Sequence, residues 1–152
     1  YFTELYNENV STFGFSLGSA FSLDDSDIKL SERLFIPSRR LRGFEGGKVG
    51  PKDGNDFVGG NYLATLNFAS SLPQILPNSQ DTDFSIFLDV ANIWGVDYDS
   101  NLNDSGKIRS SIGIGLDWLT AIGPISFSYA HPLSKDNNDV EQEFSFNLGT
   151  TF

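Results

Sequence analysis

Six segments of this chain place a bulky apolar residue at every second position. Successive side chains of a strand point to opposite faces, so a chain with this period folds into β-strands. Phe13, Phe15, Leu17 and Phe21 share one face, opposite Thr12, Gly14, Ser16, Gly18 and Ala20. Tyr62, Ala64, Leu66 and Phe68 oppose Thr65 and Asn67. Phe84, Ile86, Leu88 and Val90 oppose Asp83, Ser85, Asp89 and Ala91, with Phe87 as the one mismatch. Ile112, Ile114, Leu116 and Trp118 oppose Ser111, Gly113, Gly115 and Asp117. Ile125, Phe127 and Tyr129 oppose Ser126, Ser128 and Ala130. Phe144, Phe146, Leu148 and Phe152 oppose Ser145, Asn147, Gly149 and Thr151, and Tyr1 to Tyr6 reads as the end of an earlier strand.

The second face decides the class. A soluble sandwich also alternates, but its polar face meets bulk water and usually carries Lys, Glu, Arg and Thr. Here that face is Ser, Gly, Ala, Asn and Asp, which suits a crowded, wet barrel interior. Trp118, Tyr129 and Phe152 lie near strand ends, as the aromatic girdles of a membrane barrel do. A soluble barrel or sandwich core is the competing reading. Mean hydropathy is −0.20, and no apolar run approaches the ~18 residues of a membrane helix. That test is blind to membrane strands, whose two faces average out.

The connections alternate in length as well. Leu119 to Pro124 and Leu5 to Val10 are short; Ser22 to Gly60, Trp94 to Ile108 and His131 to Glu143 are long; Ser70 to Thr82 is middling in a short slot. Short periplasmic turns and long outer loops are the membrane-barrel habit. We therefore expect an all-β chain: the C-terminal part of a transmembrane antiparallel β-barrel, with Phe152 on the periplasmic side. Six or seven strands cannot close a bacterial membrane barrel, and an open edge in lipid leaves costly unsatisfied backbone groups. The chain does not begin with Met and shows no signal peptide, so further strands are expected upstream.

Charge and motifs exclude several functions. Twenty acids against ten bases give a net charge of −10, which argues against nucleic acid. The acids cluster in the connections (Asp24, Asp25, Asp27; Asp97, Asp99, Asp104; Asp136, Asp139, Glu141, Glu143) and read as solvated loops. Cysteine is absent, so there is no thiolate metal site and no thiol nucleophile. Gly43 to Lys48 is one residue short of a phosphate loop, and Val49 stands where Ser or Thr is needed. Asp97, Asp99 and Asn101 imitate the start of a calcium loop, but Leu102 and Ile108 replace its glycine and final glutamate. His131, the only histidine, sits beside Pro132 at an expected strand end. With no nucleophile–base pair and no acid couple, neither enzyme activity nor a metal or cofactor is expected.

The informative stretch is Arg39-Arg40-Leu41-Arg42-Gly43-Phe44-Glu45 in the longest connection. Loops of that length are uncommon unless functional or disordered. An Arg–Gly–aromatic set can tuck inward: Gly permits a tight bend, Phe packs, and Arg carries charge into the interior. A buried Arg needs a carboxylate, ideally bidentate. Asp89, on the inner parity of its strand, is one candidate and Asp117 a second.

The Leu41-Arg42-Gly43-Phe44 run resembles the (V/I/L)-R-G-F motif in the sixth outer loop of the bacterial surface antigen family, the assembly and secretion barrels that carry POTRA repeats. Val58 to Asn61, Ile86 to Trp94, Ser111 to Trp118, Ile122 to Ala130 and Phe144 to Phe152 continue the likeness in order, nearer to the assembly branch than to the translocation branch. The resemblance implies the last third or so of a sixteen-stranded barrel, with POTRA repeats and a signal peptide upstream. The loop of about residues 22–60 would fold into the lumen and bond Arg42 to Asp89. A second acid, one strand earlier, often joins this contact in the family; here Asn67 holds that position, able to accept a hydrogen bond but adding no charge. The family's closing strand pairs poorly with the first and leaves a lateral seam, with Gly149 at its kink and Phe152 at its end. Gly weakens a strand, an exposed edge templates another strand, and a short apolar band thins the bilayer nearby. The implied function is folding and inserting outer-membrane proteins, with unfolded clients, accessory BAM lipoproteins and outer-membrane lipid as partners. A secretion pore of the same family and a passive porin or surface antigen are the alternatives.

Overall fold

The structure is a computed structural model that describes residues 2–4, 9–23, 26–72, 81–102, 106–121 and 123–149. Eleven strands follow in chain order: β1 (Phe2–Glu4), β2 (Val10–Ser19), β3 (Gly43–Phe44), β4 (Lys52–Asp53), β5 (Asp56–Phe57), β6 (Tyr62–Ser71), β7 (Thr82–Trp94), β8 (Arg109–Thr120), β9 (Gly123–Ser134), β10 (Glu141–Gln142) and β11 (Phe144–Leu148). Seven of them form one antiparallel sheet in the order β1-β2-β6-β7-β8-β9-β11. Each long strand lies beside its nearest long neighbour in sequence, so the sheet is an up-and-down meander. Among the described residues it is open, with β1 and β11 at its edges.

Register converts the alternation of each strand into two continuous faces. Phe13 lies opposite Phe68 and Phe68 opposite Leu88; Leu88 lies opposite Ile112 and Ile112 opposite His131. On the other face Gly14 meets Asn67, Asn67 meets Asp89 and Asp89 meets Ser111. The apolar face is the uncovered one: Leu17 is 67 % exposed, Ile114 59 % and Leu148 67 %, whereas Asp89 and Ser111 are fully buried. A water-soluble sandwich would bury the first set and wet the second. This inversion rules out the soluble reading and matches a surface solvated by hydrocarbon. Tyr62 and Trp94 stack with ring centroids 5.8 Å apart on that face, at the outer ends of β6 and β7.

The small apolar core lies on the polar side of the sheet. The connection between β2 and β6 folds over the inner face and brings Ile36, Leu41, Phe44 and Val49 against Ala91 and Ile93. The same connection contains β3, β4, β5 and two short 3-10 turns, so it is far more ordered than its sequence suggests. Leu34 and Gly60 close its base through a pair of backbone hydrogen bonds of 2.9 and 3.0 Å.

One expectation about the strands needs correction. His131 does not end a strand, because β9 continues to Ser134. Pro132 is tolerated there beside the register shift at Ser110/Ser111, where the ladder is already interrupted. Phe87 is the mismatch that the alternation showed, a bulky apolar side chain on the small, polar face. It is buried on the inner face beside Asp89, and its role emerges with the loop. Residues 5–8 of the Leu5–Val10 turn and most of Ser70–Thr82 lie outside the described residues.

The two faces predict opposite responses to charge. In the full-length protein, Ile114→Lys should cost up to about 2–4 kcal/mol in a bilayer, while Ser126→Lys, beside Asp117 on the inner face, should cost far less. Urea unfolding from lipid vesicles measures both, and equal losses would mean the faces are assigned wrongly.

Candidate functional site

The site begins with local geometry in the long connection. A 3-10 turn, Ser38–Arg40, ends at Leu41, whose φ of −146° and ψ of 78° break the helical path. Leu41 and Phe44 are buried in the loop core and flank Arg42 and Gly43 like two pegs. Gly43 has φ +93°, a region L side chains rarely adopt. A Cβ there would also lie 3.2 Å from that of Ala130 and 3.3 Å from that of Ser111. The loop backbone can therefore press against β8 and β9 only with glycine at this point.

That placement delivers Arg42 to Asp89. The guanidinium is bidentate: Nε donates to Oδ2 at 2.7 Å and Nη2 to Oδ1 at 2.8 Å. The Arg42 backbone N–H adds a bond to Oδ2 at 3.1 Å, and Asn67 Nδ2 donates to Oδ1 at 2.8 Å. Both oxygens of a fully buried carboxylate thus receive two donors each. Buried charge is tolerable under such conditions, paired and with its lone pairs satisfied. Asn67 Nδ2 also donates to the Arg40 carbonyl at 2.8 Å. This corrects the expectation of an acceptor at Asn67. Asp89 already supplies the negative charge, and its oxygens need donors.

Phe87 supplies the floor. The Arg42 guanidinium carbon lies 3.4 Å from the centroid of its ring, a cation–π contact. Gly113 makes room for that ring, since a Cβ there would come within 2.5 Å of Phe87 Cζ. The apparent mismatch in the alternation was thus the signal of a second site residue. Asp117, the other candidate acid, is not the partner: it accepts a hydrogen bond from Ser126 and faces a cleft of about 200 Å³ lined also by Arg39, Arg42 and Ser145. Gly149 lies away from the loop, just past β11, and Phe152 lies outside the described residues.

Two further arginine–aspartate pairs anchor the outer loops, and sequence reading missed both. Arg109 Nε bonds Asp139 Oδ2 at 2.9 Å, and both side chains are fully buried. Arg33 pairs with Asp97, which also accepts from the Ile28 backbone N–H at 2.7 Å. Asp97 and Asp139 therefore leave the solvated clusters assigned to them. An arginine at the inner parity of β8 was the available clue for Arg109; nothing local marked its partner. Burial pushes the Asp97 pKa up, but the Ile28 N–H and the Arg33 guanidinium outweigh it and hold the carboxyl below its ordinary 3.8. A depressed folded pKa gives stability that is present above the ordinary carboxylate range and lost as pH falls through the lowered value.

A sheet apolar outside and polar inside, with an arginine loop locked into its interior, defines part of an outer-membrane β-barrel. The Omp85 superfamily domain matches residues 1–152, and the chain belongs to that superfamily. It is 32 % identical to the outer membrane protein assembly factor BamA of Neisseria meningitidis, over 74 % of this chain and 17 % of that protein. It is 28 % identical to a SAM50-like protein of Schizosaccharomyces pombe, over 90 % of this chain and 30 % of that protein. The structure is similar to that of BamA from Haemophilus ducreyi lacking POTRA domains 1-3, with a TM-score of 0.85 and 27 % identity over 95 % of this chain and 32 % of the other. The chain thus spans about a third or less of the length of these relatives. Its place is the bacterial outer membrane.

Asp89→Asn in the full-length protein should cost at most about 3–5 kcal/mol, because it removes the charge to which the partly exposed Arg42 guanidinium is bonded by two hydrogen bonds. Phe87→Leu should cost about 2 kcal/mol through the lost ring contact. Unfolding in detergent reads both, and a Phe87→Leu variant as stable as the parent would remove the ring from the site. For the Arg33 anchor, pepsin cleavage near residues 26–33 should accelerate only in strong acid, and Asp97→Asn should abolish that pH step.

Proposed function

We propose that this chain is the seam-bearing part of a barrel that folds and inserts other β-barrel proteins into the outer membrane, acting by strand templating and without enzymatic chemistry. The observation that carries the proposal is the fully satisfied Arg42–Asp89 contact within a chain matched along its whole length by the Omp85 superfamily domain. In an open-sided barrel such a loop braces from within a wall that lacks full edge pairing.

The edge strand supports the seam. Among the described residues β11 pairs with β9 from Phe144 to Leu148 and has no partner on its other side, and the Gly149 N–H donates to the Pro124 carbonyl at 2.9 Å. Gly149 then takes φ +105° with no atom near its missing Cβ. Backbone shape, rather than crowding, makes glycine suitable there. An edge strand presents unpaired backbone groups, which another strand can complete. The clients are unfolded outer-membrane proteins, with accessory BAM lipoproteins and surrounding lipid as the working partners.

Arg42→Ala in the full-length protein should reduce insertion of a client barrel into lipid vesicles at least several-fold, and Asp89→Asn should do comparable harm. Heat-modifiable gel mobility of the client reports its folding. Undiminished insertion by both variants, with the loop shown to be released, would overturn the bracing role.

A further inference from the structure

The buried pair Arg109–Asp139 has no part in the Arg42 contact, yet it joins three pieces of chain that are distant in sequence. Arg109 opens β8 on the inner face and is fully buried. Its fork grips Asp139 through Nε to Oδ2 at 2.9 Å and Nη2 to Oδ1 at 3.1 Å, while Nη1 donates to the Lys107 carbonyl at 2.8 Å. Asp139 also accepts the backbone N–H of Gly50 at 3.2 Å and that of Asp136 at 2.7 Å. One carboxylate therefore holds the β8 wall, the tucked loop and the last outer connection together.

The chain beside Asp139 extends this grip. Val140 N–H donates to the Lys48 carbonyl at 3.0 Å, and Glu45 N–H donates to the Val140 carbonyl at 2.9 Å. β10 then pairs with β3, placing Glu141 opposite Phe44 and Gln142 opposite Gly43. Only Glu143 separates β10 from β11, and its carbonyl accepts the Ala130 N–H at 2.8 Å. The outer end of the edge strand is thus tied to the Arg-Gly-Phe loop by a continuous backbone path whose one buried charged anchor is Asp139.

We infer that Asp139, held by Arg109, is a positioning residue that latches the outer end of β11 to the tucked loop, so that the edge strand and the loop move as one body until this pair breaks. The Arg42–Asp89 pair fixes the loop to the wall; the Arg109–Asp139 pair fixes the edge strand to the loop. The first can hold while the second lets go, because they share no side chain. The functional consequence rests on reading β11 as the seam strand; the latch itself does not.

Amide hydrogen exchange on the full-length protein in lipid vesicles tests it. In Asp139→Asn, amides of residues 140–146 should exchange at least about tenfold faster, with those of Arg42 and β7 unchanged. Arg109→Lys keeps the charge but loses the fork, and should give the same local pattern at smaller amplitude. It also serves as the test if Asp139→Asn does not fold. Exchange unchanged at 140–146, or raised evenly across the barrel, would overturn the latch. Client insertion measured on the same samples separates the two ideas: faster local exchange with unaltered insertion keeps the latch and counts against β11 as the working seam.

Discussion

A carboxylate with four donors organises this structure. Asp89 lies on the inner wall with no exposure to water, and it is stable there because the Arg42 guanidinium, the Arg42 backbone N–H and the Asn67 amide occupy both oxygens. Removing Arg42 strands a fully buried carboxylate without its charge partner, so the wall depends on the loop as the loop depends on the wall. Asn67 matters in the same way. A second acid at that position would add a negative charge beside Asp89; the amide donates a hydrogen bond instead, and another to the loop carbonyl of Arg40.

The apolar residues divide into two populations with different solvents. Phe15, Leu17, Ile114 and Phe146 point outward and contribute through hydrocarbon. They do not drive the chain to pack on itself, since lipid tails are as apolar as their neighbours. Ile36, Leu41, Phe44, Val49, Ala91 and Ile93 form the only core of the ordinary kind among the described residues, between the loop and the inner wall. The tucked loop therefore supplies what a soluble domain would obtain by stacking a second layer: apolar burial against a face that is otherwise small and polar. Leu41 and Phe44 belong to this core, and Arg42 between them belongs to the ion pair, so packing and charge reinforce a single loop position.

The same logic repeats at the outer rim. Arg33–Asp97 and Arg109–Asp139 each join a loop to a distant segment, and each aspartate also accepts backbone N–H groups. Arginine suits these posts because its planar fork can hold a carboxylate by two bonds and cannot be neutralised at ordinary pH. In a chain of net charge −10, three of the five arginines, Arg33, Arg42 and Arg109, sit in interior or loop-anchoring pairs.

Alternation alone was enough to show strands, to separate an apolar from a small polar face, and to set an inside-out sheet against a soluble one, because side-chain period is a local property of extended backbone. The Arg-Gly-Phe run could be singled out for the same reason: its residue types carry a bend, a charge and a packing group within three positions. Choosing Asp89 over Asp117 needed register, which is a property of pairs of strands, and the family resemblance anticipated that choice where parity left both open. Phe87 as a platform, Asn67 as a donor and Asp139 as an anchor emerged only in three dimensions. Each acts on a group dozens of residues away in the chain, and no local pattern records which distant backbone N–H or guanidinium will come to rest beside it.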